Sequence, residues 1–400
     1  MNSPSPTAST SAPRTPVGRA VALSRASLLR LVGLASITVT FLAASSAPTP
    51  LYATYQKDWG FSALTTTVIF GIYALAFLSA LLVVGRLSDH VGRRPVLLAG
   101  MAGEVVALVI FLDAHSVAAL LAARIVQGLA TGTALGAIGA AMLDVDQVSG
   151  AVANATAPGL GTGSGVLLSS FAVQWLPAPT HLIYLVVLGA LLVQAIGVFL
   201  LPETSPRIPG ARHSLIPRLA VPAQTRGAML AAAPVLFAVW ALAGFYASLG
   251  PSLIAHIAHS GSVVEGGLGL GILALVAALA TYVLRAVKAA HVLLFGTITL
   301  IVGVISVLLS IRAGSITAFF AGTALTGVGF GAGFQGGIRL VAPLAQAHQR
   351  AGVLSVLFIA CYLGLGLPAV LAGLAVVQGA GLVSTSYAFG LGVIALTLLA

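Results

Sequence analysis

What this chain has least of is charge. Asp, Glu, Lys and Arg make up 6% of its 400 residues, against about a quarter in soluble globular domains, so no water-facing surface can be covered and a soluble fold is excluded. Acid is scarcer than base. The eight Asp and Glu residues are scattered, and no His/Asp/Glu or Cys/His set gathers at one depth, which argues against a membrane-embedded enzyme, a metal site or a cofactor. The single cysteine, Cys361, stands in an apolar run, so an intrachain disulfide and a zinc cluster are both excluded. Nor is there the ten-residue alternation of a transmembrane barrel; the apolar runs are continuous for roughly twenty residues, the length of a bilayer-spanning helix.

What is present is a series of such runs. The sequence predicts an all-α membrane protein with spans near 30–51, 62–84, 95–113, 117–142, 148–176, 180–201, 228–250, 263–284, 290–311, 315–340, 351–377 and 380–400. Residues 1–28, rich in Ser, Thr, Pro and Ala, predict a disordered tail rather than a cleavable signal peptide. The longest hydrophilic stretch, with Pro202, Pro206, Pro209, Pro217 and Pro222, divides the chain into segments 29–202 and 228–400 joined by a linker, 203–227. A weak internal repeat supports two halves: the run Gln127 to Gly132 resembles Thr326 to Gly331.

The net charge of +10 is a matter of placement rather than of an anionic partner. Fifteen of the eighteen Lys and Arg residues fall in the tail and in alternate loops, and of the others only Lys57 and Arg312 fall on the opposite side, with Arg124 inside a span. Basic short loops stay inside the cell, so both termini are expected to be cytoplasmic, in a multi-pass protein of the plasma or inner membrane, with attraction to anionic lipid and no nucleic-acid partner.

One charged island organises the first half: Gly85-Arg86-Leu87-Ser88-Asp89-His90-Val91-Gly92-Arg93-Arg94-Pro95. Gly85 permits close approach of helix ends, Gly92 can take a positive φ, and Pro95 suits the first turn of a helix. Gly85, Leu87, Asp89, Gly92, Arg93 and Arg94 resemble the loop between helices 2 and 3 of the major facilitator superfamily of secondary transporters; Ser88 and His90 stand where Ala and Arg are usual. That resemblance implies twelve helices in two six-helix bundles and a cytoplasmic gate built from Gly85, Asp89, Gly92, Arg93, Arg94 and Asp144, with Asp146 beside it.

Further motifs follow the same resemblance. Arg124, in Leu120-x-x-x-Arg124-x-x-Gln127-Gly128, is similar to the family's arginine linked to proton transfer; an arginine reaching toward headgroups is the alternative. Glu104, near the midplane of its span, is a proton site that could pair with Arg124, or a neutral hydrogen-bonding group. Pro158 and Gly161, within a glycine-rich run, resemble a degenerate form of the exporter motif and imply a bending helix. Helices 1, 4, 7 and 10 line the central cavity in this family, which nominates Gln127, Trp240, Tyr246, Thr326 and Gln335 as substrate contacts, together with Thr38, Thr40, Ser45, Ser46, Thr131, Phe245 and Thr323. An aromatic, uncharged lining suits a neutral or lipophilic molecule. The expectation is therefore a secondary transporter of a small organic molecule, proton-coupled and exporting, with uptake by symport or uniport as the alternative and a non-transporting receptor as the more distant one.

Overall fold

The computed structural model describes residues 24–205, 208–346 and 348–400. Among the described residues twelve long helices follow one another: α1 (Arg25–Ser46), α2 (Ala63–Val84), α3 (Arg93–Leu112), α4 (Val117–Val145), α5 (Gln147–Trp175), α6 (Pro179–Leu200), α7 (Arg226–Ser248), α8 (Val263–Val283), α9 (Ala289–Ala313), α10 (Ile316–Val341), α11 (Arg350–Ala375) and α12 (Leu382–Leu398). No strand occurs among the described residues. The tail expected over residues 1–28 lies outside the described residues as far as 23, and from Arg25 onward the chain is helical.

The helix starts are set by short polar side chains. Ser24, Ser62, Ser116, Asp146, Ser262 and Ser315 each accept a hydrogen bond from a backbone N–H three residues on, the arrangement that satisfies one of the orphan donors of a helix N-terminus. Among the described residues, ten helical segments are long and apolar enough to cross a bilayer. The two others in the series have their own explanations. The helix α12 is shorter, at 17 residues. The helix α5, with Asn154, Thr156, Thr162 and Ser164 along it, is carried by close packing instead. A Cβ added at Gly161 would stand 2.8 Å from Leu42 Cβ of α1, and one at Gly159 would stand 2.9 Å from Ala278 Cβ of α8. The helix runs unbroken through Pro158.

Sequence reasoning ended the first and seventh spans near 51 and 250. In the structure each breaks and then continues: α1 turns at Ala47 into a second helical piece, Pro48–Trp59, and α7 turns at Leu249 into Gly250–Ala258. Both continuations open with proline in the first turn, Pro48 and Pro251, where the missing N–H costs nothing. The matching breaks are a second sign of the internal repeat.

The two six-helix bundles, α1–α6 and α7–α12, meet chiefly along α2 against α11 and α5 against α8. Small residues bring these pairs together: Gly71 of α2 lies against Gly366 and Val370 of α11, and Gly163 of α5 against Leu275 of α8. Between apolar helices such close backbone approach is the main source of association.

Candidate functional site

The Arg93 turn is the first of three groupings. Gly92 has φ 106° and ψ 151°, a conformation that essentially only glycine adopts. Arg93, just inside α3, then folds back on the turn. Its guanidinium pairs with Asp89, donates to Ser88 Oγ at 2.8 Å and reaches Asp144 of α4 at 3.3 Å. Arg94 lies over the Phe199 ring at 4.6 Å, and Gly85 faces Gly136 of α4, whose added Cβ would stand 3.4 Å from its Cα. Asp146 does not join this cluster. It caps α5, and the Ser149 N–H it accepts at 2.7 Å holds its carboxyl below the usual value.

Glu203 is the residue that sequence reasoning missed here. Its carboxylate accepts the backbone N–H groups of Arg93 (2.8 Å), Arg94 (3.1 Å), Thr204 (3.0 Å) and Ser205 (3.1 Å), so an acid from the start of the linker closes the N-terminus of α3. Burial works to raise its carboxyl, but those donors outweigh it and leave it below the ordinary value. Thr204 donates to Asp144 at 3.2 Å, and the His90 carbonyl accepts Ile208 N–H at 2.9 Å. Of the two positions that differ from the family loop, Ser88 accepts Arg93 through its hydroxyl and His90 places its ring Nδ1 3.3 Å from the Pro209 carbonyl of the linker. The available signal was the Pro202-Glu203-Thr204 sequence at the end of a span.

The second grouping lies inside the first bundle. Arg124, Glu104, Gln127 and Thr131 are all fully buried. Counting 1.5 Å per residue, Arg124 is roughly 10 Å below the start of α4 and Glu104 roughly 17 Å from the start of α3. An isolated charge at such depth costs at least a few kcal/mol, so each requires partners. Arg124 donates to the Tyr52 hydroxyl at 2.7 Å, the Ser45 carbonyl at 2.7 Å and Gln127 Oε1 at 2.6 Å. Gln127 Nε2 donates in turn to Glu104 Oε1 at 2.8 Å, and Thr131 donates to Gln127 O at 2.8 Å, its Oγ1 lying 3.4 Å from Glu104 Oε2. Arg124 therefore turns inward rather than toward headgroups. It meets Glu104 through the Gln127 amide and not as a direct pair. Gln127, expected at the substrate cavity, is the bridge between two charges. One guanidinium nitrogen, Nη2, has no partner, and the rings of Tyr73, Tyr52 and Phe111 surround the group at 5.3, 5.5 and 5.7 Å.

The third grouping straddles the bundles. Trp240 of α7 contacts Tyr362 of α11 (centroids 4.8 Å) and Phe334 of α10 (5.7 Å), and Tyr362 stacks on Phe77 of α2 at 4.4 Å. The Trp240 Nε1–H is without a partner, as is Gln335 Oε1, while Gln335 Nε2 donates to Thr281 O at 3.1 Å. The other nominated polar groups are engaged within their own bundles: Tyr246 with Thr323 at 2.9 Å, Thr326 with Gly322 O at 2.9 Å, Ser46 with Thr162 O at 3.0 Å, and Thr40 with Gln194 at 2.9 Å. Tyr362 and Phe77 were not expected from sequence, since α2 and α11 were not counted among the lining helices.

A sequence model of the Major Facilitator Superfamily matches residues 34–289. The chain belongs to that superfamily. Its members are membrane transporters, and this one is a multi-pass, all-helical example. Multidrug resistance protein MdtL of Klebsiella pneumoniae subsp. pneumoniae is 35% identical over 77 residues, 19% of this chain and 20% of MdtL. An uncharacterized transporter of Rickettsia bellii is 38% identical over 74 residues, 18% of each chain. The matched stretch thus spans about a fifth of the length of these curated relatives. Among solved structures, the human organic anion transporter MFSD10 superposes with TM-score 0.70 at 17% identity, covering 94% of this chain and all of that one. A point mutant of the nucleoside transporter NupG superposes with TM-score 0.71 at 12% identity, covering 93% and 98%. At those identities the likeness is one of fold.

Proposed function

We propose that this superfamily member is a proton-coupled exporter of small neutral or lipophilic organic molecules in the cell membrane, with both termini cytoplasmic. The observation that carries the coupling is the Arg124–Gln127–Glu104 chain. A lone acid and a lone base, both buried, offset each other across one amide, and a proton arriving on Glu104 leaves Arg124 as an uncompensated buried cation. The state with Glu104 protonated and the state with it ionised then differ in the arrangement they favour, which is what coupling to alternating access requires. The segments 29–202 and 228–400 rock about the midplane, with 203–227 as the cytoplasmic linker. Asp89, Arg93, Arg94 and Asp144, with Gly85 and Gly92 shaping the turn, make the cytoplasmic gate, and Pro158 and Gly161 let α5 adjust against α1 and α8. Substrate meets Trp240 at the boundary between bundles, where aromatic faces and the unpaired indole N–H suit an apolar, weakly polar molecule rather than a charged one, with the free Oε1 of Gln335 in α10 as a second candidate contact. The MdtL likeness, limited as its extent is, favours export.

Inside-out vesicles containing the protein, energised to an acid interior and offered a panel of fluorescent lipophilic dyes, test the reading. Dye accumulates, the accumulation collapses on adding a protonophore, and it is lost in Glu104→Gln. Accumulation that survives the protonophore would rule out proton coupling. Dye loss on imposing the acid interior would reverse the direction.

A further inference from the structure

The helix α2 touches both the buried charges and the other bundle. On its α4 side two glycines remove all slack: a Cβ at Gly128 would stand 2.8 Å from Ala76 Cβ and 3.0 Å from Phe77 N, and one at Gly132 would stand 2.9 Å from Ala80 Cβ. Tyr73 stands at this contact. Its hydroxyl donates to Ser45 Oγ at 2.9 Å, the Ser45 carbonyl accepts Arg124, and the ring lies 5.3 Å from the guanidinium. One turn on, Phe77 meets Tyr73 edge to face at 6.1 Å, and then stacks across the bundle boundary on Tyr362, with ring planes 22° apart. Tyr362 touches Trp240. Ring contacts therefore run without interruption from the Arg124 guanidinium to the indole nominated for substrate.

We propose that Tyr73 and Phe77 are positioning residues that carry the charge state of Glu104 to Trp240 on the opposite bundle. The proposal rests on the proton reading above. When Glu104 is ionised, the guanidinium is drawn toward Gln127, which holds the carboxylate. When Glu104 takes a proton, its new O–H has an acceptor at hand in Thr131 Oγ1, whose own hydrogen remains on the Gln127 carbonyl, and the pull on Arg124 ends. Among the described residues no second acid faces the pair: the polar or charged groups around it are Gln127 and Thr131 of α4, Tyr73 of α2, Ser45 and Tyr52 of α1 and its continuation, and, behind Phe111, Tyr184 of α6. The guanidinium keeps its bonds to Tyr52, Ser45 and Gln127, and with the carboxylate neutralised the surrounding aromatic faces take a larger share of its attraction, Tyr73 being the nearest. The Tyr73 backbone is held against α4 at Gly128, so a displaced ring has its freedom along the ring series toward Phe77. Tightly packed contacts respond by switching between arrangements rather than by yielding continuously, and the Phe77–Tyr362 stack is the place where such a switch changes the relation of the two bundles.

Trp240 is its own reporter. The chain holds three tryptophans, and a Trp59→Phe, Trp175→Phe background leaves only the indole at the end of the series. In purified protein in nanodiscs, acidification is expected to change Trp240 emission, and Glu104→Gln to abolish the change. Phe77→Leu and Tyr362→Leu, one on each side of the boundary, lose the emission change while the infrared carboxyl band that Glu104→Gln removes still responds to pH. Phe77→Tyr and Tyr73→Phe, which keep the rings, keep the change; Tyr73→Leu does not. A Trp240 that ignores pH in the parent, or a response retained in full by Phe77→Leu or by Glu104→Gln, overturns the proposal. A carboxyl band that never responds to pH overturns the proton reading itself, and this proposal with it.

Discussion

The two bundles share a frame and differ in what they enclose. In the first, every span from α1 to α4 contributes to one buried polar chain: Ser45 and Tyr52 from α1 and its continuation, Tyr73 from α2, Glu104 from α3, and Arg124, Gln127 and Thr131 from α4. The equivalent run in the second bundle, Thr326 to Gly331 in α10, keeps glycines and carries no charge; Thr326 serves its own helix backbone, and Thr323, one turn before it, bonds Tyr246. The turns at the Arg93 face diverge in the same way. The first is held by carboxylates, whereas the turn after α8 is held by Arg339 donating to the Leu284 and Val287 carbonyls at 3.3 and 2.7 Å. Among the described residues the ion pairs all belong to the first half. On the proposed function, a duplicated architecture has separated its tasks: one bundle buries the acid and base that couple to the proton, and the other presents an uncharged aromatic wall.

That division can be broken most severely at Arg124. Arg124→Leu leaves Glu104 buried without its bridged counter-charge and strips Tyr52, Ser45 and Gln127 of their donor, a loss expected to approach that of breaking a buried ion pair, about 3–5 kcal/mol. The expected result is a large fall in detergent melting temperature and no transport. Adding Glu104→Leu to the same chain is expected to recover most of the stability and none of the proton coupling. Less severe is Gly128→Leu, which forces a side chain into the Tyr73–Phe77 backbone of α2 and is expected to cost about 1–3 kcal/mol by overpacking; Gly227→Leu in α7, which faces nothing within 4 Å, should leave the melting temperature unchanged. Next comes Gly92→Ala, where the positive φ carries a strain of about 1–3 kcal/mol and the new Cβ presses on Glu203 Oε2. Faster tryptic cleavage at Arg212 and Arg218 is the expected signature, because the clasp that holds the linker start is loosened.

The smallest effect concerns acid. The folded-state carboxyl of Glu203 lies below its ordinary value, so its contribution to the clasp is complete above the unfolded value near pH 4 and is lost as pH falls through the lower folded one. The group is largely exposed, and the contribution is expected to stay below about 1 kcal/mol. Protection of the linker from an acid-active protease should fall in this range in the parent and be flat with pH in Glu203→Gln.

The fold was legible because its signals are local and long. Twelve apolar runs and the Gly85 to Pro95 turn each act over a few residues, and apart from the first, whose helix begins five residues earlier at Arg25, the span starts fall within about two residues of the helices. The breaks at Ala47 and Leu249 were readable in principle from Pro48 and Pro251, but a hydropathy run does not end where a helix turns. The site was less legible, since its meaning lies in pairing across the chain. Arg124 and Glu104 were found as rare charges in apolar surroundings. That Gln127 joins them depends on the rotation of α3 against α4, which no spacing states. Phe77 and Tyr362 lie in opposite halves of the chain, and each alone reads as an ordinary core residue. Glu203 looked like loop acid until the chain brought it to the first turn of α3.

The separation of tasks is tested most directly by measuring two activities of the same proteoliposomes: substrate-driven proton movement, and exchange of labelled for unlabelled substrate without a gradient. With a dye identified in the vesicle panel, Glu104→Gln is predicted to keep exchange and lose proton movement, whereas Trp240→Leu is predicted to lose both. Proton movement that persists in Glu104→Gln, or exchange that vanishes there while Trp240→Leu retains it, would contradict the account.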